Sequence, residues 1–537
     1  MRRGPATYNA AMVWPPEVSR RQVLEGALAS CGPRLWPALL RGSGAEPSAS
    51  TAPRLEFASA LEAAEAIRRR RISSVELTRL VLERIDRCNP SLNAIVNLLR
   101  GEALAVARAA DELLARGGAR GRFHGVPITV KESFEIRGVP ATVGLEELRG
   151  RLPAQDADAV ARLRSAGAIV LGNTNVPVRL ADWQSDNPIY GRTSNPWDLA
   201  RTPGGSSGGS AAALAAGLGY LSMGSDIGGS IRIPAHFTGV YGHKTTIGVI
   251  SRTGHIPPLP ATGPQPPNDL AVLGPMARSA RDLAAALEVV GGPPAEDALA
   301  YRWTLPPARR DRLASYRIGY VLDDVHCPVV PAVKDVLARA VDALGKAGVE
   351  LAEGWPPGVD VEAQYRTYRY LLWEATPPAG EDTEALRSAA TRTDDSLESL
   401  RARALTDPIA RVTEVRAARL RHRAAWQRYF GEHDAFLMPA AFVAAFPHDA
   451  RPMAARRLAT PEGQRAYDDL LFWIGFASMT GLPATTAPVG LTREGLPVGI
   501  QIVGPYLEDA TPIDVAARMA DVVGGFERPP AYGGSGS

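Results

Sequence analysis

One lysine and two serines occupy positions from which they could act together in catalysis. Lys131 directly follows a short apolar run, Ser206 lies in the glycine- and serine-rich stretch 203–210, and Ser230 ends the sequence Asp-Ile-Gly-Gly-Ser. A serine hydroxyl attacks a carbonyl well only when a nearby base takes its proton. A lysine amine is such a base when burial lowers its pKa enough to leave it neutral. The three side chains are therefore candidates for a nucleophile and its base.

Lysine is rare in this chain, which sets Lys131 apart. Four of the 60 lysine and arginine residues are lysines, at positions 131, 244, 334 and 346. Arginine keeps its charge at any working pH, whereas a buried lysine loses its proton readily. Lys334 and Lys346 lie in a stretch with the pattern of a surface helix. A role in proton transfer is therefore expected first of Lys131.

The region 203–232 is too regular to be a flexible linker or a phosphate-binding loop. Residues 210–219 have the composition of a short helix and residues 220–225 that of a buried strand, whereas a linker would be of low complexity on both sides. A phosphate-binding loop needs a lysine after its last glycine, and neither glycine cluster has one. The region is therefore predicted to be part of a folded site.

Residues 204–208 also match the Gly-x-Ser-x-Gly pattern of a nucleophile elbow, in which Ser206 would attack with His236 or His243 as its base. Such an elbow must follow a strand directly. The preceding residues 195–203 are polar and include two prolines, which disfavours a strand there. A Ser-His-Asp esterase with Ser206 as nucleophile is the alternative to a lysine-based site.

A helix and a strand of matched length would bring the two glycine clusters together. Ten helical residues from Ser210 span about 15 Å, and the five or so strand residues that follow return about 17 Å. Ser206 and Ser230 would then lie at the same edge of a parallel sheet, where ligands bind in open α/β folds. Lys131, at the end of its own predicted strand, reaches this edge as well.

Taken together, these motifs resemble those of the amidase signature family of serine hydrolases. The similarity continues through Gly-Leu-Pro-Val-Gly-Ile-Gln-Ile-Val-Gly504 and covers most of residues 55–525. One departure is Lys244-Thr-Thr, where the family usually has Lys-Pro-Thr. The matching segments are Gly-Val-Pro-Ile-Thr-Val-Lys131, Leu-Gly-Asn173-Thr174-Asn175, Asn-Pro-Ile-Tyr-Gly, Pro-Gly-Gly-Ser-Ser-Gly-Gly-Ser210 and Asp226-Ile-Gly-Gly-Ser-Ile-Arg-Ile-Pro234.

The resemblance implies a role for each of the three candidate residues. Ser230 would attack the substrate carbonyl, Ser206 would relay the proton through a cis peptide, and Lys131 would accept it. This arrangement explains why two hydroxyls and one amine occur together without an obligatory histidine.

Residues around Ser230 would support these three side chains. Ser207 is a secondary candidate for a hydrogen bond within the site, and Asp226 and Arg232 are expected to form a buried ion pair that holds the loop. The oxyanion hole would consist of consecutive backbone N–H groups, those of Ile227, Gly228, Gly229 and Ser230.

The implied fold class is α/β, with a mixed, mostly parallel sheet covered by helices on both faces and a helical cap insertion. The amidase domain is expected over residues 55–530, with a variable, mostly helical cap region at 290–475. Residues 1–54 are expected to be a flexible segment, and Ser-Arg-Arg-Gln-Val-Leu at 19–24 resembles a twin-arginine export signal. The protein is then expected in the cytoplasm, or in the periplasm if that signal is functional. Residues 533–537 have the composition of an added linker.

Composition limits the partners that this chain could have. The 60 basic and 57 acidic residues give a net charge of +3, without the basic excess of nucleic-acid-binding proteins. No stretch of the sequence reaches the roughly 18 apolar residues of a membrane span. Cys31, Cys88 and Cys327 lack metal-binding spacing. We expect no cofactor, no metal, no nucleic acid and no membrane span; the expected partner is a small amide or carbamate, bound by a monomer or homo-oligomer.

The sequence thus predicts a hydrolase of non-peptide C–N bonds in amides, with aryl amides and carbamates (urethanes) among the expected substrates. The alternative within the family is the subunit of a tRNA-dependent amidotransferase, which the near-neutral charge and the twin-arginine motif disfavour. A hydrophobic or aryl substrate is favoured by aromatic residues of the expected cap, namely Tyr368, Tyr370, Trp373 and Phe472.

Overall fold

The computed structural model of the chain describes residues 55–259, 269–376, 383–392, 394 and 396–532. The predicted N-terminal segment with its twin-arginine motif, and the linker at the other end, lie outside the described residues.

The strands of the described residues form one large sheet and two small hairpins. They are β1 (Ile95–Leu98), β2 (Pro127–Lys131), β3 (Ile169–Thr174), β4 (Asp186–Asn187), β5 (Gly191–Arg192), β6 (Leu221–Asp226), β7 (Tyr241–Lys244), β8 (Val272–Ala277), β9 (Arg317–Tyr320), β10 (Glu350–Glu353), β11 (Ala435–Pro439), β12 (Arg457–Thr460), β13 (Gly463–Ala466), β14 (Ala484–Leu491) and β15 (Pro497–Val503).

Helices alternate with these strands along most of the chain. They are α1 (Ala60–Arg68), α2 (Ser74–Leu92), α3 (Arg100–Ala115), α4 (Asp158–Ser165), α5 (Gly208–Ala215), α6 (Arg232–Thr238), α7 (Ala280–Val290), α8 (Pro331–Lys346), α9 (Val361–Ala375), α10 (Thr383–Ala390), α11 (Leu397–Thr406), α12 (Ile409–Tyr429), α13 (Leu471–Thr480) and α14 (Ala510–Val523).

The large sheet is mixed, with strand order β1-β3-β2-β6-β8-β7-β14-β15-β11-β9-β10. Parallel pairs occur in two regions, β2 with β3 and β6, and β9 with β10 and β11. Antiparallel pairs join these regions through β8, β7, β14 and β15. Parallel neighbours need a crossover, and α4 and α8 supply it between β2 and β3 and between β9 and β10. The predicted mixed α/β sheet is confirmed, and its parallel pairing belongs to these two regions.

Helices cover both faces of the sheet, as predicted. Helices α5 and α6 pack on one face, and α7, α8 and α14 pack on the other. On the first face, His236 of α6 hydrogen-bonds the backbone of Gly499 in β15. On the second, His243 of β7 hydrogen-bonds Asp509, which directly precedes α14.

The region 290–475 differs from the predicted helical cap. It contains the long helices α8, α9 and α12, but also β9, β10 and β11, which are strands of the large sheet. The cap is therefore the smaller group of helices from α9 to α12, together with α13, against which α9 and α12 pack. The sequence obscured these strands because each is only four or five residues long and lies among helical, arginine-rich segments.

Helix α5 and strand β6 set the position of the glycine clusters. Both elements are buried along their whole length, and α5 begins directly after the cluster that contains Ser206. A Cβ added at Gly209 would lie 2.4 Å from the backbone nitrogen of Asn175. Only glycine therefore allows α5 to approach the chain segment that follows β3 this closely.

Among the helices within the described residues, we find none with the length and apolar character that crossing a membrane requires.

Candidate active site

Strand β2 ends at Lys131 and places its amine among hydroxyl groups. The side chain is completely buried. Its Nζ lies 2.6 Å from Ser206 Oγ and 2.9 Å from Ser225 Oγ, and 3.5 Å from the carbonyl oxygen of Ser225. Two of the three residues singled out in the sequence, Lys131 and Ser206, are thus in direct contact.

Burial changes the protonation chemistry of Lys131. Removal from water lowers the pKa of this amine to about 7, although the nearby Asp226 carboxylate opposes the shift. A lysine with such a pKa is largely neutral at slightly alkaline pH, where it can accept a proton from a hydroxyl group.

The segment around Ser206 connects the lysine to Ser230. A cis peptide bond joins Gly205 to Ser206. The backbone N–H of the next residue, Ser207, donates to the carbonyl oxygen of Ser230 at 3.1 Å. Ser206 is 1% exposed and Ser230 is 6% exposed, so the hydroxyl that the sequence assigns to the nucleophile is the one nearer to solvent.

Residues 227–230, which we call the glycine loop, follow β6 and carry the predicted oxyanion-hole donors. The Gly229 N–H is not free, because it donates to Asp226 Oδ1 at 3.1 Å. This corrects the prediction of four consecutive donors. Among the described residues, the N–H groups of Ile227, Gly228 and Ser230 have no hydrogen-bond acceptor, so three of the four predicted donors remain available to a ligand.

Asp226 and Arg232 form the buried ion pair that the sequence predicted. Both side chains are fully buried and two hydrogen bonds join them, at 2.7 and 3.0 Å. Burial raises the pKa of Asp226, but the charge and hydrogen bonds of Arg232 outweigh this and hold the pKa below its usual value. The ionised carboxylate also accepts the N–H groups of Gly229 and Ile231. The pair therefore fixes the loop.

The histidine-based alternative lacks its base. His236 uses both ring nitrogens on the backbone of Gly499 and Val443. His243 uses its ring nitrogens on Thr485 and Asp509. Because Ser206 contacts the amine of Lys131 and neither histidine, the structure supplies no histidine to activate it as an elbow nucleophile.

Two neighbouring hydroxyls complete the surroundings of Lys131. Ser207, the predicted secondary candidate, makes two long hydrogen bonds of 3.4 Å with the backbone of Ser225. Ser225 itself was missed from the sequence, yet it contacts Lys131 Nζ directly. Its position offered a signal: it lies at the end of β6, the parallel neighbour of β2, so both strand ends meet at one sheet edge.

The predicted aromatic substrate pocket is largely a helix-packing core. Tyr370 is buried and donates its hydroxyl to Asp407, in the turn after α11. Phe472 is buried against Tyr365, Trp473 and Phe476. The half-buried ring of Trp373 lies under the Arg401 guanidinium. Of the four aromatic residues, Tyr368 reaches the glycine loop, where its hydroxyl donates to the carbonyl of Ile227. The expectation that these rings line a pocket was wrong for Tyr370 and Phe472, because they stabilise the cap.

No group of three or more His, Cys, Asp or Glu side chains suited to hold a metal ion occurs within the part of the chain that the structure describes. The open clefts also lie elsewhere: the largest, of about 700 Å³, is lined by residues of β9, β10 and α8. The candidate site is therefore a compact arrangement of buried hydroxyls around one amine.

Several known proteins are similar to this chain over most of its length. The Amidase family model matches residues 76–512. The chain is 34% identical to indoleacetamide hydrolase of Bradyrhizobium diazoefficiens, over 87% of this chain and 86% of that protein. It is 33% identical to fatty-acid amide hydrolase 2-A of Danio rerio, over 88% and 90%, and 34% identical to a glutamyl-tRNA(Gln) amidotransferase subunit of Thermus thermophilus, over 82% and 92%. The solved structure of a bacterial aryl acylamidase shares the fold, with a TM-score of 0.72, 24% identity and coverage of 87% and 96%.

Proposed function

The chain belongs to the amidase signature family of amide hydrolases, and on this premise we propose that it cleaves amides through an acyl-enzyme on Ser230. The observation that carries the proposal is the contact of 2.6 Å between Lys131 Nζ and Ser206 Oγ, in a place where burial lowers the lysine pKa to about 7. A neutral amine at hydrogen-bond distance from a hydroxyl is a general base in position.

In the first half of the proposed reaction, Ser230 Oγ attacks the substrate carbonyl carbon. Its proton moves to Ser206 Oγ while the Ser206 proton moves to Lys131 Nζ, so that the lysine becomes charged. The carbonyl oxygen gains a negative charge, which the free N–H groups of the glycine loop stabilise.

The second half returns the protons. The tetrahedral intermediate collapses, the C–N bond breaks, and the leaving nitrogen takes a proton from Lys131 by way of Ser206. Water then attacks the ester on Ser230, with Lys131 again accepting a proton through Ser206, and the acid product leaves. All of this chemistry uses groups of the chain itself, and no cofactor takes part.

An apolar acyl or aryl group fits the surroundings of the loop best. A Cβ added at Gly228 would meet Leu471 Cδ2 at 3.6 Å, and the half-buried Ile227 is its neighbour. Together with the similarity to a hydrolase of indoleacetamide, this apolar wall supports arylacetamides and anilides as substrates. Aryl carbamates present the same carbonyl to the same donors and belong to the proposed range.

A panel of primary arylacetamides, anilides, aliphatic amides, aryl carbamates and glutamine tests this proposal. We expect hydrolysis of the aryl amides, with a burst of released amine in the wild type and none in Ser230→Ala. Preference for glutamine, together with transfer of ammonia to a charged tRNA in the presence of partner subunits, would instead identify an amidotransferase subunit.

A further inference from the structure

The carbonyl groups of the glycine loop are all bound, and two of them are bound by nearby backbone. The Gly229 carbonyl accepts the N–H of Ile233 at 2.8 Å, as α6 begins. The Ser230 carbonyl accepts the N–H of Ser207 at 3.1 Å. These two bonds follow from the way the loop enters a helix and packs beside the first glycine cluster.

The other two carbonyls are bound by side chains from distant parts of the chain. The Tyr368 hydroxyl on α9 donates to the Ile227 carbonyl at 2.9 Å, across 141 positions of sequence. The Trp183 indole Nε1 donates to the Gly228 carbonyl at 2.8 Å. Ordinary loop folding does not explain these contacts, because nothing in the local backbone requires either side chain.

The geometry of the peptide unit gives the two bonds a consequence for the donors. In a trans peptide, the C=O and the N–H of the same unit point in opposite directions. The bond from Tyr368 to the Ile227 carbonyl therefore fixes the direction of the Gly228 N–H, away from Tyr368. The bond from Trp183 likewise fixes the Gly229 N–H, which points to Asp226 Oδ1.

We propose that Tyr368 and Trp183 are positioning residues that hold the glycine loop in the orientation in which the Gly228 N–H faces the developing oxyanion. The proposal rests on the function proposed above, since it takes the loop to be the oxyanion hole of an acyl transfer at Ser230. Neither side chain is required to touch the substrate; each acts through a backbone carbonyl.

Tyr368 is firmly held by its surroundings. Its side chain is completely buried. A Cβ added at Gly475 of α13 would lie 2.6 Å from Tyr368 Cδ1, so the ring rests directly against the helix backbone. The cap thereby fixes one peptide of the glycine loop.

Trp183 is held from the opposite side of the loop. Its ring meets the Tyr467 ring edge to face, with 5.2 Å between centroids. The Tyr467 hydroxyl donates to Asp182 Oδ1 at 2.7 Å, and Arg456 pairs with Asp182 at 2.6 Å. The residue before Trp183 is thus anchored at both carboxylate oxygens, which limits rotation of the indole.

Loss of such a bond should weaken transition-state stabilisation more than substrate binding. The substrate oxygen carries little charge in the ground state and a full charge in the tetrahedral intermediate, so a misdirected N–H affects mainly the latter. We expect Tyr368→Phe to lower kcat about 10- to 100-fold, with KM within about twofold of wild type. Affinity for a trifluoromethyl ketone, which forms a tetrahedral adduct, should fall by the same factor as kcat/KM.

Tyr370→Phe is the matched control, because it removes the same hydroxyl from the same helix. Tyr370 is also buried, and its hydroxyl donates at 2.9 Å to Asp407, away from the loop. It should keep kcat near the wild-type value. Thermal unfolding of both variants reports any loss of stability, which the two substitutions should share.

A second pair of variants tests Trp183 independently and serves if Tyr368→Phe fails to fold. Trp183→Phe removes the indole donor, and Trp197→Phe removes a comparable donor that binds the Thr238 carbonyl at 2.9 Å. Trp183→Phe should reduce kcat and ketone affinity in parallel, and Trp197→Phe should not.

Ser230→Ala separates failure of this inference from failure of the proposed function. If Ser230→Ala is inactive while Tyr368→Phe and Trp183→Phe match their controls in kcat and ketone affinity, the positioning role is overturned and the proposed function stands. If the two variants instead raise KM with kcat unchanged, both residues bind substrate, and the positioning role is again overturned. Full activity of Ser230→Ala would overturn the proposed function itself.

Discussion

Two buried lysines, Lys131 at the end of β2 and Lys244 at the end of β7, differ in what their amines touch. Both side chains are completely buried, and burial lowers the pKa of each to about 7. Lys131 Nζ contacts the hydroxyls of Ser206 and Ser225. Lys244 Nζ donates to the carbonyl oxygens of Thr245 and Leu482, at 3.0 and 2.8 Å.

A lowered pKa therefore does not by itself make a lysine a general base. A hydroxyl has a proton to give, whereas a backbone carbonyl only accepts hydrogen bonds. Lys131 can exchange protons with its neighbours, and Lys244 can only tie two chain segments together. We expect substitutions at the two sites to separate catalysis from stability.

Lys131→Arg should have the largest effect on activity. Arginine keeps a positive charge and cannot supply a neutral amine. We expect kcat for an aryl amide to fall by about 10²–10⁴, the usual loss when a general base is removed. The far-ultraviolet circular dichroism should match that of the wild type. A folded Lys131→Arg enzyme with wild-type turnover would contradict the role of Lys131 as the base.

The pH dependence of the wild type should show the same lysine. Because the base must be neutral and its pKa is about 7, kcat/KM should rise with pH to a plateau above pH 8. Below pH 7 it should fall about tenfold for each pH unit. A profile that stays flat from pH 8 down to pH 5 would show that Lys131 does not titrate in the reaction.

Ser225→Ala should have a smaller effect than either of these. The substitution removes one of the two hydroxyls on Lys131 Nζ but leaves the one on Ser206. We expect kcat to drop about tenfold, since one hydrogen bond to a charged group contributes about 1.5–3 kcal/mol. Ser222→Ala is a control in the same strand, because Ser222 bonds Thr129 and not the lysine. Equal activity of the two variants would remove Ser225 from the site.

The sequence predicted the site better than it predicted its supports. Lys131, Ser206 and Ser230 each lie within a few residues of a strand or helix end, so element lengths were enough to bring them together. Trp183 and Tyr368 reach the loop from other parts of the chain, and no spacing rule relates such residues to a carbonyl. The strands β9 and β11 were missed for a related reason: their pairing with β10 and β15 is decided by long-range packing.

Lys244→Met should change stability with little change in kcat. Between pH 7 and 9 the folded protein holds Lys244 neutral, whereas the unfolded chain keeps it protonated up to its usual pKa of 10.5. The unfolded state then binds more protons, so the free energy of unfolding rises with pH in this window. Lys244→Met removes one of two such lysines and should make that rise less steep by roughly half.

Urea unfolding at pH 7, 8 and 9 measures this slope for the wild type and Lys244→Met. The activity of the folded variant should stay within about threefold of wild type, because Lys244 touches no reacting group. A loss of kcat as large as that of Lys131→Arg would erase the distinction between the two lysines.

The most direct test of the proposed catalytic site is to identify the residue that a fluorophosphonate labels. This reagent phosphonylates an activated serine, and peptide mass spectrometry locates the modified residue. We predict modification of Ser230 in the wild type, and labelling at least about 100-fold slower in Lys131→Arg, where the base is lost. Modification of Ser206, or labelling of Ser230 at the wild-type rate in Lys131→Arg, would contradict this assignment.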